Sequence, residues 1–340
     1  MRSPEISVCV PTYNGSAFLA ETLASISSQT LHDYEVVIVD DGSTDGTLRL
    51  AEAYAATDAR VRVYRNGERA GSSARNANRC LEHARGQWIK FLFQDDLMAP
   101  TCLARMLEAG ERGRLVVSWH DYLFAPDVPD TTRVYYESLP TLESSLRRTY
   151  ATIDEFCDAV LTHWCVNFIG PTSSSFIHRD CFAEYGPFSA EITAFPDLEY
   201  WIRVGNREGL AIVPERVVTF RVHETSISGG MRREGARQHR RSLDPLLLLL
   251  HLARAPEYEN IRVRARNRHP AMDPDLMLAH VALDERWSAA EARYRQRDPA
   301  PLQQWNAFCN RHPDVLEVLQ QAYASAPAWT RLKRYLKDRL

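Results

Sequence analysis

The chain has 340 residues, 45% apolar and 25% charged, which excludes a largely disordered chain and fits one large domain or a catalytic domain with an appendage. Its net charge of −3 gives no electrostatic case for nucleic acid as the main partner. The cysteines, Cys9, Cys80, Cys102, Cys157, Cys165, Cys181 and Cys309, form no Cys-x-x-Cys pair and are odd in number, so free, mostly buried thiols in a reducing compartment are expected.

Residues 6–10 (Ile-Ser-Val-Cys-Val) read as a strand ending at Pro11. The Asn14-Gly15-Ser16 turn can cap a helix over 16–29, where Phe18, Leu19, Leu23 and Ile26 share a side. The run 35–39 is a β-branched strand, and a helix follows over about 45–56. Residues 61–64 make a third strand, 72–84 a third helix and 87–93 a fourth strand. This alternation predicts a parallel sheet with helices on both faces. Beyond it, 101–110 read as a helix after Pro100 and 114–119 as a strand. Residues 122–150 show no clear period and read as loop or lid. Helices are expected over 154–163 and 195–208, and strand, turn and strand over 210–222 around Pro214. From about 235 the chain is Arg- and Leu-rich and reads as helical.

Two of the strands end in paired carboxylates, Asp40-Asp41 after Val36 to Val39 and Asp95-Asp96 after Trp88 to Phe93. In open α/β sheets ligands bind outside the carboxyl ends of the strands. Adjacent carboxylates repel and are costly to bury unless offset. A divalent cation, or hydrogen bonds to a sugar hydroxyl or a base N–H, would offset them, so a nucleotide with a metal is the leading expectation. The start, which reaches a strand almost at once, reads as lacking a signal peptide, and the run Leu243 to Leu252 is too short to span a bilayer. Together these readings suggest a soluble, cytoplasmic protein.

Pro11-Thr12-Tyr13-Asn14, Asp40-Asp41-Gly42-Ser43-Thr44-Asp45, Gly71-Ser72-Ser73-Ala74-Arg75-Asn76 and Gln94-Asp95-Asp96 follow one another in an order that resembles family-two glycosyltransferases. The resemblance resumes at Asp197 to Arg203 and at Arg221-Val222-His223, and covers roughly residues 5–230. It implies the GT-A fold, a Rossmann-like, mostly parallel α/β sheet flanked by helices, with a C-terminal helical extension. The domain expectation is a GT-A unit over 1–230, its nucleotide-binding half about 1–100 and its acceptor-side half about 101–230, followed by a helical region over 235–340.

The resemblance further implies roles. Pro11, Thr12, Tyr13 and Asp41 would hold the nucleotide, and Asp95 would bond the ribose; Arg75, from its place in the third helix, can reach the nucleotide or diphosphate or form a surface salt bridge. Asp96, with His223 nearby, would bind Mg²⁺ or Mn²⁺, which acts as a Lewis acid on the leaving diphosphate. Asp197 would be the base of an inverting transfer, with Glu199 as the fallback. The chain departs from the family pattern at Gln94 and at Pro196, where an acidic residue is lost. Taken alone, the same residues permit plainer readings. Asp40 or Asp41 can form an Asx-turn, Asp95 and Asp96 can cap a helix, and Asp197 can sit at a helix N-terminus favoured by the dipole. Arg203 and Arg221 can contact diphosphate or pair with Asp197 or Glu199. Thr172 to Ser175 can line the acceptor side or open a strand.

The expected activity is therefore transfer of a sugar from a UDP- or dTDP-sugar to a saccharide or lipid-linked saccharide, in cell-surface glycan synthesis. A non-catalytic nucleotide-sugar-binding subunit and a sugar nucleotidyltransferase are the alternatives. The latter would carry a Gly-rich loop with a basic residue after the first strand, where this chain has Pro11 to Gly15. Arg232, Arg233, Arg237, Arg240 and Arg241 add a basic stretch beside the leucine run, and Trp329 to Leu340 form a basic amphipathic one. The terminal stretch reads as a helix packed on the domain or at a homodimer interface, or as a peripheral contact with the inner face of a membrane.

Overall fold

The computed structural model describes residues 3–164, 166–192, 194–226, 243–295 and 298–325. The basic stretch around Arg232 to Arg241, Cys165 and the Trp329 to Leu340 segment lie outside them. The chain divides into two compact units, Met1–Gly229 and Gly230–Leu340.

The first unit opens with the expected alternation: β1 Ile6–Thr12, α1 Leu19–Ser27, β2 Tyr34–Asp40, α2 Thr47–Ala55, β3 Val61–Arg65, α3 Ser73–His83 and β4 Trp88–Phe91. It continues with β5 Leu97–Met98, α4 Cys102–Gly110, β6 Leu115–Phe124, α5 Asp130–Ser138, α6 Leu142–Ser145 and β7 Tyr150–Ala151. Then follow α7 Ile153–Thr162, β8 Ser175–His178, α8 Arg179–Tyr185, α9 Pro196–Glu208 and β9 Leu210–Val222. The strands form one sheet in the order β3-β2-β1-β4-β8-β6-β9-β5, with β7 also on β9. Strands β3, β2, β1 and β4 are parallel, as are β6 and β9. Strand β8 runs antiparallel to both β4 and β6. Two reversals restore direction, so β6 and β9 end at the same sheet edge as β1, β2 and β4.

Strand alternation sorts the core. Ile6, Val8, Val10, Val36 and Ile38 pack on one face with Leu19, Leu23 and Ile26 of α1, Ala51 of α2, and Leu103 and Met106 of α4. On the other side Phe91 meets Phe182 and Phe188, and Phe188 meets Tyr200 and Trp201 of α9. The GT-A-like expectation of a central sheet covered by helices on both faces thus holds.

Two stretches differ from the sequence expectation. Residues 122–150 are not a bare loop: β6 runs on to Phe124, and α5, α6 and β7 follow. Within α5 only Thr132 and Tyr136 are buried, while Val134 and Tyr135 are exposed, so the helix shows no apolar period to read. Residues 210–222 are one strand rather than two. Pro214, which has no N–H to give a ladder, falls where the pairing with β6 shifts register.

The second unit is helical over its described residues: α10 Asp244–Arg254, α11 Glu259–Arg268, α12 Pro274–Arg295, α13 Ala300–Arg311 and α14 Asp314–Ser325. Leu246 to Leu250 are all buried. Among the described residues no helix is long and apolar enough to cross a membrane. Cys9, Cys80, Cys102, Cys157, Cys181 and Cys309 are buried.

Candidate active site

The loops leaving β1, β2, β4 and β9 meet at the carboxyl edge. After β2, Asp40 is fully buried and accepts hydrogen bonds from the Thr12 hydroxyl (3.2 Å), the Gly42 N–H (3.1 Å), the Ser43 N–H (2.9 Å) and the Ser43 hydroxyl. The Asx-turn reading therefore describes Asp40, which shapes the loop. Asp41 points elsewhere. It accepts from Asn66 Nδ2 at 2.8 Å, from Gly71 N at 3.2 Å and from Ala70 N, with Arg69 Nε 4.0 Å away. An ionised carboxylate offers about four acceptor positions, so these three N–H groups leave room for a base N–H. Asn76 ties the strand ends together by donating to the Thr12 and Val39 carbonyls (3.2 and 3.1 Å).

The loop after β1 is held from two sides. Asn14 takes a left-handed φ of 48°, donates its N–H to Ser43 Oγ at 2.9 Å and accepts from Thr44 N at 2.9 Å. Gln94 pairs reciprocally with the Tyr13 backbone, accepting its N–H at 2.8 Å and donating to its carbonyl at 3.0 Å. A Cβ on Gly15 would lie 2.1 Å from Gln94 Oε1, so a side chain here would displace Gln94 from this pairing. Gln94 departs from the family pattern and here serves as a clamp. The Tyr13 ring is exposed, with the Arg69 guanidinium 4.0 Å from its centroid. Pro11 is buried within β1, and Thr12 also is buried. Arg75 is exposed in the first turn of α3, whose cap is Ser72, and its guanidinium has no partner among the described residues.

The second acidic pair divides into one enclosed and one more open carboxyl. Asp96 is 1% exposed; its oxygens accept from the Ser173 hydroxyl and from the Arg221 N–H (2.9 Å). Burial pushes its carboxyl well above the ordinary carboxylate range, and the neighbouring Asp95 charge adds to that. Asp96 is thus the more enclosed carboxyl of the pair, with both oxygens engaged from within the chain. Asp95 is the more open of the two, and its Oδ2 lies 2.9 Å from His223 Nε2 rather than standing free for a ribose. His223 Nδ1 lies 2.9 Å from the Thr225 hydroxyl, which orients the ring. Arg221 straps this corner: its Nε donates to the Asp95 carbonyl (2.9 Å), its Nη2 to Glu21 (2.6 Å), and its guanidinium lies over Phe18. It does not pair with Asp197 or Glu199 among the described contacts.

Among the described residues no group of three or more His, Cys, Asp or Glu side chains could hold a metal. Asp95 and His223 offer one carboxylate and one imidazole. That donor set fits Mn²⁺ or Mg²⁺ if phosphate oxygens and water complete the sphere, as is usual for hard ions at phosphate sites.

Asp197 lies in the first turn of α9, behind Pro196 at N1. It accepts the Leu198 N–H at 2.8 Å and Asn167 Nδ2 at 3.1 Å. Burial pushes its carboxyl up to about 6, against those hydrogen bonds, which lower it. Asn167 is fixed in turn by the Gly170 carbonyl (3.0 Å) and the Gly170 N–H (3.1 Å), and Trp201 Nε1 donates to the same carbonyl at 3.3 Å. Glu199, the fallback base, is 2% exposed and held by Arg203 Nε at 2.7 Å. Arg203 also donates to the Tyr185 and Pro187 carbonyls, which makes it an anchor of α9 rather than a diphosphate contact.

Ser173 links the two centres. It anchors Asp96, while its neighbour Ser174 lies against Gly170 in the loop that holds Asp197. Of the run Thr172 to Ser175, the strand-entrance reading is thus the observed one. Sequence reasoning missed Asn167, Asn66 and this role of Ser173. Asn167 stands in a stretch without period, and nothing local marks it.

Residues 7–169 match the family described as Glycosyl transferase family 2. "Uncharacterized protein MT1568" of Mycobacterium tuberculosis is 30% identical over 220 residues, 63% of this chain and 66% of that protein. "Uncharacterized glycosyltransferase EpsJ" of Bacillus subtilis is 38% identical over 112 residues, 33% of this chain and 32% of that protein. The chain thus spans between about a third and two thirds of the length of these relatives. Among solved structures, S. aureus TarS 1-349 in complex with UDP superposes with a TM-score of 0.57 at 18% identity, covering 98% of this chain and 88% of that one. The mannosyltransferase PcManGT from Pyrobaculum calidifontis, in complex with GDP-Man and Mn²⁺, gives 0.55 at 20% identity, covering 95% and 88%. At these identities the structures speak for the fold.

Proposed function

Because residues 7–169 belong to glycosyl transferase family 2, we propose that this protein is an inverting transferase that moves a sugar from a nucleoside-diphosphate sugar to a saccharide or lipid-linked saccharide hydroxyl, in cell-surface glycan assembly. The observation that carries the reading is Asp197, a carboxylate held by Asn167 and the Leu198 N–H and pushed up to about 6. That places it near the operating range of a general base.

Asp41 accepts the base N–H, with Tyr13 and Arg69 flanking it; this suits a uracil or thymine donor. Arg75, exposed and unpaired, reaches the diphosphate. The acceptor hydroxyl attacks the anomeric carbon from the face opposite the diphosphate, and its proton passes to Asp197. The C–O bond to the new sugar forms as the bond to the β-phosphate oxygen breaks, inverting the anomeric centre. Asp95 and His223 are the residues that would hold a divalent cation, whose charge stabilises the departing diphosphate. Asp96 lies beneath, fixing the Asp95 loop to β9 through the Arg221 N–H.

The test is release of nucleoside diphosphate from a panel of UDP-, dTDP- and GDP-sugars with saccharide acceptors, with Mn²⁺ and with EDTA. Product formation that needs both acceptor and metal supports the reading. Tight donor binding without release from any pair would favour a non-catalytic binder, the reading that the loss of an acidic residue at Pro196 supports.

A further inference from the structure

At the same carboxyl edge, beyond the loop that holds Asp197, lies a cavity of about 240 Å³ that the proposed mechanism does not use. Its walls are the end of β6, the end of α5, the start of α6 and Arg216 of β9. That volume is below the roughly 300–1,000 Å³ of common ligand pockets and suits a single small ring better than a nucleotide.

The local backbone is irregular where it lines the cavity. The β6–β9 pairing shifts register between Ser118 and Trp119 and again between Trp119 and His120. Such bulges re-aim side chains and occur preferentially beside functional sites. The wall they create is aromatic: Trp119, Tyr122 and Tyr136 line it, with Tyr122 5.0 Å from Tyr136 and 5.1 Å from the His120 ring between centroids. On that wall the buried Trp119 indole N–H has no hydrogen-bond partner among the described residues, and the His120 imidazole, the Tyr122 hydroxyl and the exposed Glu137 carboxylate have none either. For the buried Trp119 N–H this is costly unless a ligand or water supplies the bond.

Charge narrows the class. Arg216 is committed to Asp121 (3.3 Å) and Glu143 (2.7 Å), leaving Glu137 as uncompensated negative charge. His120 carries no offsetting charge near neutral pH, because burial and the Arg216 charge push it down to about 4. A phosphate or uronic acid would therefore be repelled. An uncharged ring with hydroxyls can lay its C–H face on an aromatic wall while its hydroxyls serve His120 and Glu137. The position fits an acceptor. A Cβ on Gly170 would lie 3.1 Å from His120 Nδ1, and Gly170 is the residue that fixes Asn167 on Asp197.

We propose that this cavity is the acceptor subsite and that it takes a neutral sugar ring, stacked on Trp119 and Tyr122 and hydrogen-bonded by His120 and Glu137. The proposal rests on the glycosyltransferase reading for the word acceptor, but not for the binding itself.

The test is saturation-transfer NMR on the full chain with the methyl β-glycosides of glucose, galactose and N-acetylglucosamine, and with methyl β-glucuronide. At least one neutral glycoside should receive saturation, the glucuronide several-fold less. W119A and E137Q should each cut the neutral signal at least fivefold. Glu137 is exposed on α5, so E137Q decides the matter if W119A fails to fold. No signal from any neutral glycoside, an equal signal from the glucuronide, or undiminished binding in E137Q would overturn the proposal. Calorimetry with UDP, dTDP and GDP on the same preparation separates the two readings. Nucleotide binding without glycoside binding sinks the cavity alone, whereas glycoside binding without nucleotide binding sinks the transferase.

Discussion

The loops after β1 and β2 and the loops around α9 and β6 sit at one sheet edge, yet they treat their polar groups differently. On the first side nearly every polar group is answered from within the chain. Asp40 accepts four hydrogen bonds, Asp41 accepts three, and Gln94 closes on the Tyr13 backbone. On the second side groups are left wanting: Asp197 keeps acceptor capacity and a raised carboxyl, and His120 and Glu137 have no bonds among the described residues. A preorganised cradle costs no reorganisation when a ligand arrives. An unsatisfied one gains most from being filled.

The sharpest way to break this contrast is at Asp197. Asp197→Asn keeps the shape and the Leu198 contact but cannot take a proton, so transfer should fall by about 10²–10⁴-fold while calorimetry shows the donor still bound. Stability should move the other way. The folded carboxyl sits near 6 against 3.8 for an ordinary one, so Asp197 contributes stability below about pH 4 that is lost as pH rises through about 6. Above that pH the asparagine variant should melt higher than the parent. A transfer rate within threefold of wild type would end the role given to Asp197.

The Asp95–Asp96 pair tests the same contrast within two residues. Removing Asp96 leaves the Ser173 hydroxyl and the Arg221 N–H without an acceptor beside the buried Lys90, and Asp96→Ala should cost about 3 kcal/mol in denaturant unfolding. Asp95→Asn touches a more open group and should change stability by about 1 kcal/mol or less. It should instead abolish the response of transfer to added Mn²⁺. If the two variants exchange these phenotypes, the sequence expectation for Asp96 stands and the assignment from burial fails.

These cases show what sequence could tell and why. The parallel half was legible because β-branched strands and helix spacing are local signals, and Asp41, Asp95 and Asp197 stand at element ends where such signals stop. Whether Asp95 or Asp96 faces outward was not legible, because Ser173 and Arg221, far along the chain, decide it. Nor was it legible that α9 turns Glu199, the fallback base, onto Arg203. The stretch 122–150 failed for the opposite reason: α5 buries too few side chains to leave a period.

Acid titration follows from the unsatisfied side. With the base near 6, kcat/KM for transfer should rise about tenfold per pH unit below 6 and level off above it. The Asp197→Asn residual rate should lack that limb. A wild-type profile flat from pH 5 to 7 would assign proton removal to another group.

The smallest effect belongs to the answered side. Arg69 lies 4.0 Å from the Tyr13 centroid and 4.0 Å from Asp41 Oδ2, and more than half of its side chain is exposed. A cation over an exposed ring contributes about 0.5–1 kcal/mol, and the long ion pair adds little in water. Arg69→Ala should therefore weaken UDP binding only about two- to fivefold, because the Ala70 and Gly71 N–H groups still hold Asp41 in place. A loss beyond a hundredfold would mean that Arg69 contacts the nucleotide itself. In that event the cradle around Asp41 would be incomplete without its ligand, as the acceptor side is.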